Sequence, residues 1–364
     1  MRRAPEVKSQ PVETGAAGTY LLGRLQRGAR GASRLIYRCA PQRRTAAQLS
    51  CSPEPVKIDE IYEKVQGSPE VQSGTSGHTT DAGDTTYDRL DILGVRVSAI
   101  NLQQAIEAVE LWIRGGKRTY ICVTGVHGLM ESRRDAQLRD IHNRAGLVTP
   151  DGMPLVWLSR LSGKRHTERV CGRDLMRKLT AISALRGYRQ YYYGGAEGVV
   201  ERLTQELTSA HPGLDVAGTR CPPFRQLTRE EDDDDVHAIN EARPDILWIG
   251  LSTPKQEQWM ATHRGHVNAP VMIGVGAAFD FLAGTKRQAP LWMQRVGLEW
   301  LFRLLSEPRR LWRRYAYIVP GFAFLTAGEF SRQIISTRIG HPHYFDRKID
   351  LPHARTNVPG TPAK

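Results

Sequence analysis

Asp245–Leu251 reads DILWIGL, Lys255–His263 reads KQEQWMATH and Pro270–Val275 reads PVMIGV. The first and third stretches are short apolar runs bounded by polar residues or proline, the pattern of strands covered on both faces. The stretch between them is predicted to be a helix. Strand, helix and strand at this spacing predict a parallel pair with a crossover. The class that follows is α/β: a mostly parallel sheet with helices on both faces.

The same alternation extends outward. Gln190–Tyr193 is predicted as a strand, Gly194–Ser209 as loop and helix, Leu214–Gly218 as a strand and Asp234–Ala242 as a helix. Nearer the N-terminus, Leu90–Val97 (LDILGVRV) reads as a hairpin around Gly94, and Asn101–Arg114 as a helix stopped by Gly115-Gly116. Thr119–Thr124 (TYICVT) reads as a strand, the segment to about Ala145 as helical, and Leu147–Thr149 as a short strand. From Leu291 the strands cease, and apolar and basic residues mix at helical spacing.

The expected organisation is thus a core over residues 87–290, a helical appendage over 291–340 and a flexible tail over 341–364. Residues 1–86, rich in Gly, Ser, Pro, Ala and Arg, are expected to be a disordered basic and polar tail. Within it Arg24, Arg27, Arg30, Arg34 and Arg38 recur near one helical turn, as in a weak basic amphipathic helix or simply a solvated tail.

The 364 residues carry 51 Lys and Arg against 38 Asp and Glu, a formal charge of +13. That balance favours anionic partners (nucleic acid, phosphate or acidic lipid) without choosing among them. The five cysteines are scattered, odd in number and lack CxxC spacing, which argues against a disulfide framework or zinc site and fits a cytosolic compartment. No apolar stretch follows Arg2 and Arg3, so no secretory signal is expected. No run approaches the roughly 20 apolar residues needed to span a bilayer, so membrane contact is expected to be peripheral.

In such sheets ligands bind beyond the carboxyl ends of the strands. Thr124 ends the TYICVT strand. Asp151 lies in Pro150-Asp151-Gly152, displayed at a turn, where it reads either as a helix cap or as a general base. Arg169, Gly172 and Asp174 form a block in which an arginine could grip phosphate. Gly194 and Gly195 lie between a strand and a helix, where glycines serve a tight turn or admit a phosphate. They do not complete a GxGxxG fingerprint. Lys255, Gln256 and Glu257 follow the DILWIGL strand, and Gly276 and Asp280 follow PVMIGV. The run Glu230–Asp235 (EEDDDD) contains a formal DxD but reads as a solvated stretch just before a helix, so no metal is assigned. Arg303, Arg310 and Arg313 lie seven and three residues apart, on one face if the helix were continuous, although Pro308 interrupts it. Tyr317–Phe330 reads as broken at Pro320-Gly321.

Taken in order, Asp151-Gly152, the block from Glu168 to Asp174, Tyr193–Gly195, His211-Pro212-Gly213-Leu214, Pro254-Lys255-Gln256-Glu257, Phe279-Asp280-Phe281 with Gly284, and the run from Ala289-Pro290 through Gly297-Leu298-Glu299-Trp300 and Glu307-Pro308-Arg309-Arg310 to Tyr315 resemble the WecG/TagA/CpsF glycosyltransferases over about residues 90–320. The resemblance implies a Rossmann-like core with a C-terminal appendage. It implies inverting, metal-independent transfer, without a cofactor, from a UDP-sugar, commonly N-acetylmannosamine or its uronic acid, to an undecaprenyl-diphosphate-linked acceptor. Asp151 would be the base, Thr124 and Gln256 would lie near the substrate, and Arg303, Arg310 and Arg313 would grip a diphosphate as the appendage closes. The chain departs from the family pattern at Val126 and His127, where an Asn is frequent, and at Gln288, where an Arg is frequent. A hexose donor for exopolysaccharide assembly stays open on that account. The implied location is the cytoplasmic face of the cell membrane, and a homo-oligomer is compatible with the sequence. Two rivals, a basic nucleic-acid-binding protein and a nucleotide-dependent oxidoreductase, lack their motifs: no nucleic-acid-binding motif and no complete glycine fingerprint is found.

Overall fold

The computed structural model describes residues 87–338. The expectations for residues 1–86 and for the 341–364 tail lie outside the described residues.

Six strands form one parallel sheet: β3 (Thr119–Thr124), β4 (Leu147–Pro150), β5 (Arg189–Gly194), β6 (Asp215–Arg220), β7 (Ile246–Gly250) and β8 (Val271–Gly274), in the order β4-β3-β8-β7-β5-β6. All five pairings are parallel. The predicted hairpin is present as β1 (Arg89–Ile92) and β2 (Val95–Ser98), an antiparallel pair outside the sheet.

Side-chain alternation divides the interior into two cores, one on each face. Tyr192, Trp248, Ile121 and Ile273 belong to one, packed with Trp112 and Leu175. Tyr191, Tyr193, Leu247 and Met272 belong to the other, with Leu129, Ile141 and Met260. The consecutive tyrosines of β5 therefore serve opposite faces. Such strands carry no polar face, which is why they read as unbroken apolar runs.

The helices begin and end where local chemistry dictates. Asn101 caps α1 (Leu102–Gly115) through a capping box with Gln104, and Gly116 ends it in the left-handed region. The segment expected to be helical up to about Ala145 consists of two helices, α2 (Val126–Arg134) and α3 (Ala136–Arg144). Asp135 leaves the helical region and its carboxylate accepts from Gln137 and Leu138 N–H to start the second. Next come α4 (Met153–Leu161), α5 (Gly172–Arg186) and α6 (Val199–Ala210).

The acidic run does not precede α7 (Arg229–Ala242) but lies inside it, because Thr228 caps the helix through a capping box with Glu231. Acids in a first turn complement the helix dipole. Asp235 is not solvated: it is buried, accepting from Tyr193 Oη at 2.9 Å and pairing with Arg220 at 2.6 Å. Among the described residues no group of three or more His, Cys, Asp or Glu is placed to hold a metal.

After α8 (Lys255–His263) and the short α9 (Ala278–Leu282) the chain enters three helices, α10 (Leu291–Arg295), α11 (Glu299–Ser306) and α12 (Pro308–Arg338). The helix does not break at Pro320-Gly321. An interior proline costs about 3 kcal/mol, yet Ile318 and Phe322 on either side of it are buried in the core that holds Met130, and this packing carries α12 through. Arg303 lies in α11, whereas Arg310 and Arg313 lie in α12, so the interruption read at Pro308 is present and the three arginines do not share one continuous helix. Among the described residues no helix is long and apolar enough to cross a membrane.

Candidate active site

The carboxyl ends of the adjacent strands β4, β3, β8 and β7 deliver Asp151, Thr124, Gly276 and Gln256 to one end of the sheet. Asp151 N–H donates to Thr124 O at 3.0 Å, prolonging the β3–β4 ladder by one residue. The chain then turns at Gly152 with φ of 145°, a conformation that excludes side chains. This turn leaves the Asp151 carboxylate about one-third exposed (32%). Gly125 allows the close approach of the two strand ends, since a Cβ there would lie 2.8 Å from Asp151 O. Thr124 is buried, and its hydroxyl donates to Cys122 O at 3.3 Å.

Around Asp151 charges of opposite sign alternate. Arg169 Nη2 lies 3.6 Å from Asp151 Oδ1 and 2.7 Å from Glu299 Oε2. Arg169 Nη1 donates to Gln294 Oε1 at 2.8 Å. Glu299 also holds Arg303 at 2.7 Å, and the Arg303 guanidinium lies 5.2 Å from the centre of the Phe281 ring. Arg303 Nε is buried without a partner. Helices α10 and α11 thus contribute Gln294, Glu299 and Arg303 to the surroundings of a core carboxylate.

Burial pushes the Asp151 carboxyl above its ordinary pKa; Glu299 and Asp174 add to the rise, while Arg169 and Arg303 oppose it. Burial disfavours charge on Arg169 and Arg303, but the neighbouring carboxylates outweigh it and hold both more firmly protonated. Asp174 lies in the first turn of α5. Burial would raise its pKa, but Cys171 Sγ at 3.1 Å and Arg173 bring it below the ordinary range. Arg173 in turn binds Gln288. The group is a proton acceptor of raised proton affinity beside fixed cations, an arrangement suited to taking a proton while negative charge develops nearby.

Behind this group Gln256 is buried, accepting the Gly276 N–H at 3.0 Å and donating to Glu257 Oε1 at 2.9 Å. Glu257 is also buried, with Oε2 unpartnered. Gly172 packs on Val275, which a Cβ would meet at 3.0 Å. Other expected residues are held elsewhere. Gly195 N–H donates to Gly250 O, and Gly194 (φ 112°) abuts the Gly250 backbone, so these glycines bring β5 and β7 together. Asp280 pairs with Lys286 at 3.0 Å, Lys255 is exposed and Arg310 pairs with Glu307. Arg313 lines a separate cleft of about 430 Å³ together with His127, Arg134, Arg314, Thr253 and Tyr317. Burial and the nearby Arg314 lower the His127 pKa, and the Arg134 guanidinium lies 4.0 Å from the centre of the Tyr317 ring.

Glu299 and Gln294 carried no role in the sequence reading. Glu299 stood inside the Gly297-Leu298-Glu299-Trp300 block, and its acidic charge between apolar neighbours was the available signal.

The family model for the glycosyl transferase WecG/TagA/CpsF family matches residues 90–335. The chain belongs to this family. That membership makes it a glycosyltransferase and replaces both rival expectations, nucleic-acid binding and nucleotide-dependent oxidation. The chain is similar to the N-acetylglucosaminyldiphosphoundecaprenol N-acetyl-beta-D-mannosaminyltransferase of Bacillus subtilis, 29% identical over 196 residues, which cover 54% of this chain and 74% of that protein. The protein of the same name from Bacillus spizizenii is 30% identical over 50% of this chain and 69% of its own length. That from Staphylococcus aureus strain MW2 is 25% identical over 62% and 87%. The family match begins at the β1–β2 hairpin and extends into α12, so it includes the helices that bring Gln294, Glu299 and Arg303 to Asp151.

Proposed function

We propose that this glycosyltransferase moves N-acetylmannosamine or a related hexose from a UDP-sugar to an undecaprenyl-diphosphate-linked N-acetylglucosamine, with inversion at the anomeric carbon, in the assembly of a cell-surface polymer. The names of the relatives support this acceptor and sugar. The observation that carries the mechanism is Asp151, set at a strand end between Arg169 and the appendage arginine Arg303. Asp151 accepts the proton of the acceptor hydroxyl, the hydroxyl oxygen bonds to the anomeric carbon, and the bond from that carbon to the UDP oxygen breaks. UDP departs carrying the electron pair. The guanidinium group of Arg303 faces the growing diphosphate charge, and Arg169 favours the ionised Asp151 carboxylate and orients it.

A peripheral position on the cytoplasmic face of the membrane goes with this reading. Trp157 and Leu161 on α4, Leu291 and Trp292 on α10 and Val296 just after it are exposed. Gly297 seats the end of α10 against the Trp157 ring, bringing the two apolar groups side by side. Exposed apolar side chains of this kind suit a bilayer interface, where indole rings are favoured. The decisive assay is transfer of radiolabelled sugar from a panel of UDP-sugars to N-acetylglucosaminyl-diphospholipid. Transfer from UDP-N-acetylmannosamine is expected; efficient use of a different acceptor class alone would overturn the reading.

A further inference from the structure

The opposite end of the sheet holds a second concave basic surface. A cleft of about 470 Å³ there is lined by Arg89, Arg96, Lys117, Arg144 and Arg264 against a wall that includes Trp112. Among the described residues none that lines it is a carboxylate. It lies at the amino ends of the strands: Thr119 begins β3 and Gly146 precedes β4, whereas Asp151 follows the far end of β4.

The fold explains part of this charge. In a parallel α/β sheet the crossover helices end where the strands begin. Three helices end here: α1 before Lys117, α3 at Arg144 and α8 before Arg264. Each helix C-terminus presents about half a negative charge, so the three offset roughly 1.5 of the charge on the four arginines. Roughly 2.5 positive charges remain on the arginines beyond what the helix ends require.

Several of the cations are also held in place. Arg89 Nη2 donates to Ala145 O and Gly146 O, both at 2.7 Å. Arg96 Nη2 donates to Asn143 O at 3.0 Å, while its backbone N–H donates to Asn143 Oδ1 at 2.8 Å. A guanidinium has five N–H donors in a fixed fork, so these bonds orient each group and leave others free to act. Burial, then the neighbouring Arg96, pulls the Arg89 pKa down, as expected for like charges set side by side.

We propose that this cleft is an anion site separate from the transfer centre, taking a phosphate-class ligand with two or more negative charges. A free diphosphate and a phospholipid headgroup share that chemistry. The proposal stands independently of the donor and acceptor assigned above.

The test is calorimetric titration of the full-length protein with inorganic pyrophosphate at constant ionic strength, beside the double variant Arg144→Ser/Arg264→Ser. Both side chains are exposed, and the unliganded Tm of the variant monitors folding. In the expected result the wild type binds pyrophosphate at a site whose affinity falls at least tenfold in the double variant, while Tm and the transfer rate stay unchanged. Equal pyrophosphate affinity in the two proteins would overturn the proposal, as would absence of binding by the wild type. Sedimentation with phosphatidylglycerol vesicles separates the sources: a parallel loss of vesicle binding assigns the headgroup, and unchanged vesicle binding assigns the free anion.

Discussion

Asp151 and Glu299, 148 positions apart in the sequence, are joined through one guanidinium, because Arg169 Nη2 lies within 3.6 Å of the first and 2.7 Å of the second. The core carboxylate and the appendage carboxylate act on each other in two ways. Glu299 raises the Asp151 pKa directly, and Arg169, which lowers it, is shared between them. The position of the appendage therefore enters the proton affinity of the proposed base.

The first prediction concerns Asp151 itself. Asp151→Asn should reduce turnover by roughly 10²–10⁴ with donor affinity nearly unchanged, measured by single-turnover transfer and by UDP titration. The fold should not suffer. A carboxyl whose pKa is raised in the folded state contributes unfavourably to stability when ionised, and that contribution disappears as pH falls below the folded pKa. Asn lacks it throughout. At neutral pH the variant should thus have an equal or higher Tm than the wild type, with the difference closing on acidification. Near-normal turnover would remove Asp151 from the role of base.

A second prediction separates the two partners by sign. The acid limb of kcat/KM against pH reports the ionisation of the free enzyme's base, and here it should lie above the ordinary carboxylate range. Arg169→Gln removes a neighbour that favours the ionised form, so the limb should move to higher pH. Glu299→Gln removes a neighbour that disfavours it, so the limb should move lower. Shifts in the same direction, or none, would show that the limb belongs to another group.

The third prediction tests what the glycines after β5 are for. Gly194 has φ of 112°, and a Cβ there would lie 2.8–3.0 Å from the C, O and N atoms of Gly250. The backbone conformation alone costs a non-glycine residue about 1–3 kcal/mol. Gly194→Ala should therefore lower Tm by roughly 5 °C or more, whether or not UDP is present. A variant of unchanged Tm with weakened UDP binding would point to phosphate contact in place of strand packing.

Much of this was legible in the sequence, and the rest was hidden for identifiable reasons. Strands buried on both faces announce themselves, as TYICVT and ILWIG do, because no position in them is charged. Asp151 stood out because Pro150 and Gly152 force a turn around it. The role of Glu299 could not be read, since its partner Arg169 is 130 residues away and the pairing depends on how the appendage docks. Pro320 misled because local propensity favours a break, and burial of Ile318 and Phe322 overrides it. At Pro308, by contrast, the interruption legible in the sequence is present: Pro308 starts a new helix, and so Arg303 and Arg313 enter different surroundings. Asp235 read as one acid in a solvated run, and only the third dimension supplies Tyr193 and Arg220 as its partners.

The last prediction addresses the membrane. Trp157 and Trp292 are 44% and 61% exposed, one on the core and one on the appendage. Burying such a side chain yields about 1.5–3 kcal/mol, and about 1.4 kcal/mol is tenfold in affinity. If both rings enter the interface, Trp157→Ser/Trp292→Ser should weaken binding to anionic vesicles by at least roughly tenfold. Because neither residue contacts Asp151 or its arginines in the interactions described above, transfer to a short-chain, water-soluble acceptor analogue should continue at a comparable rate. Transfer to the full-length lipid acceptor in vesicles should fall with binding. Vesicle affinity that survives the double substitution would place the membrane contact elsewhere. Loss of transfer to the soluble analogue would mean instead that the two rings hold α10 against α4 and so keep Glu299 and Arg303 in place.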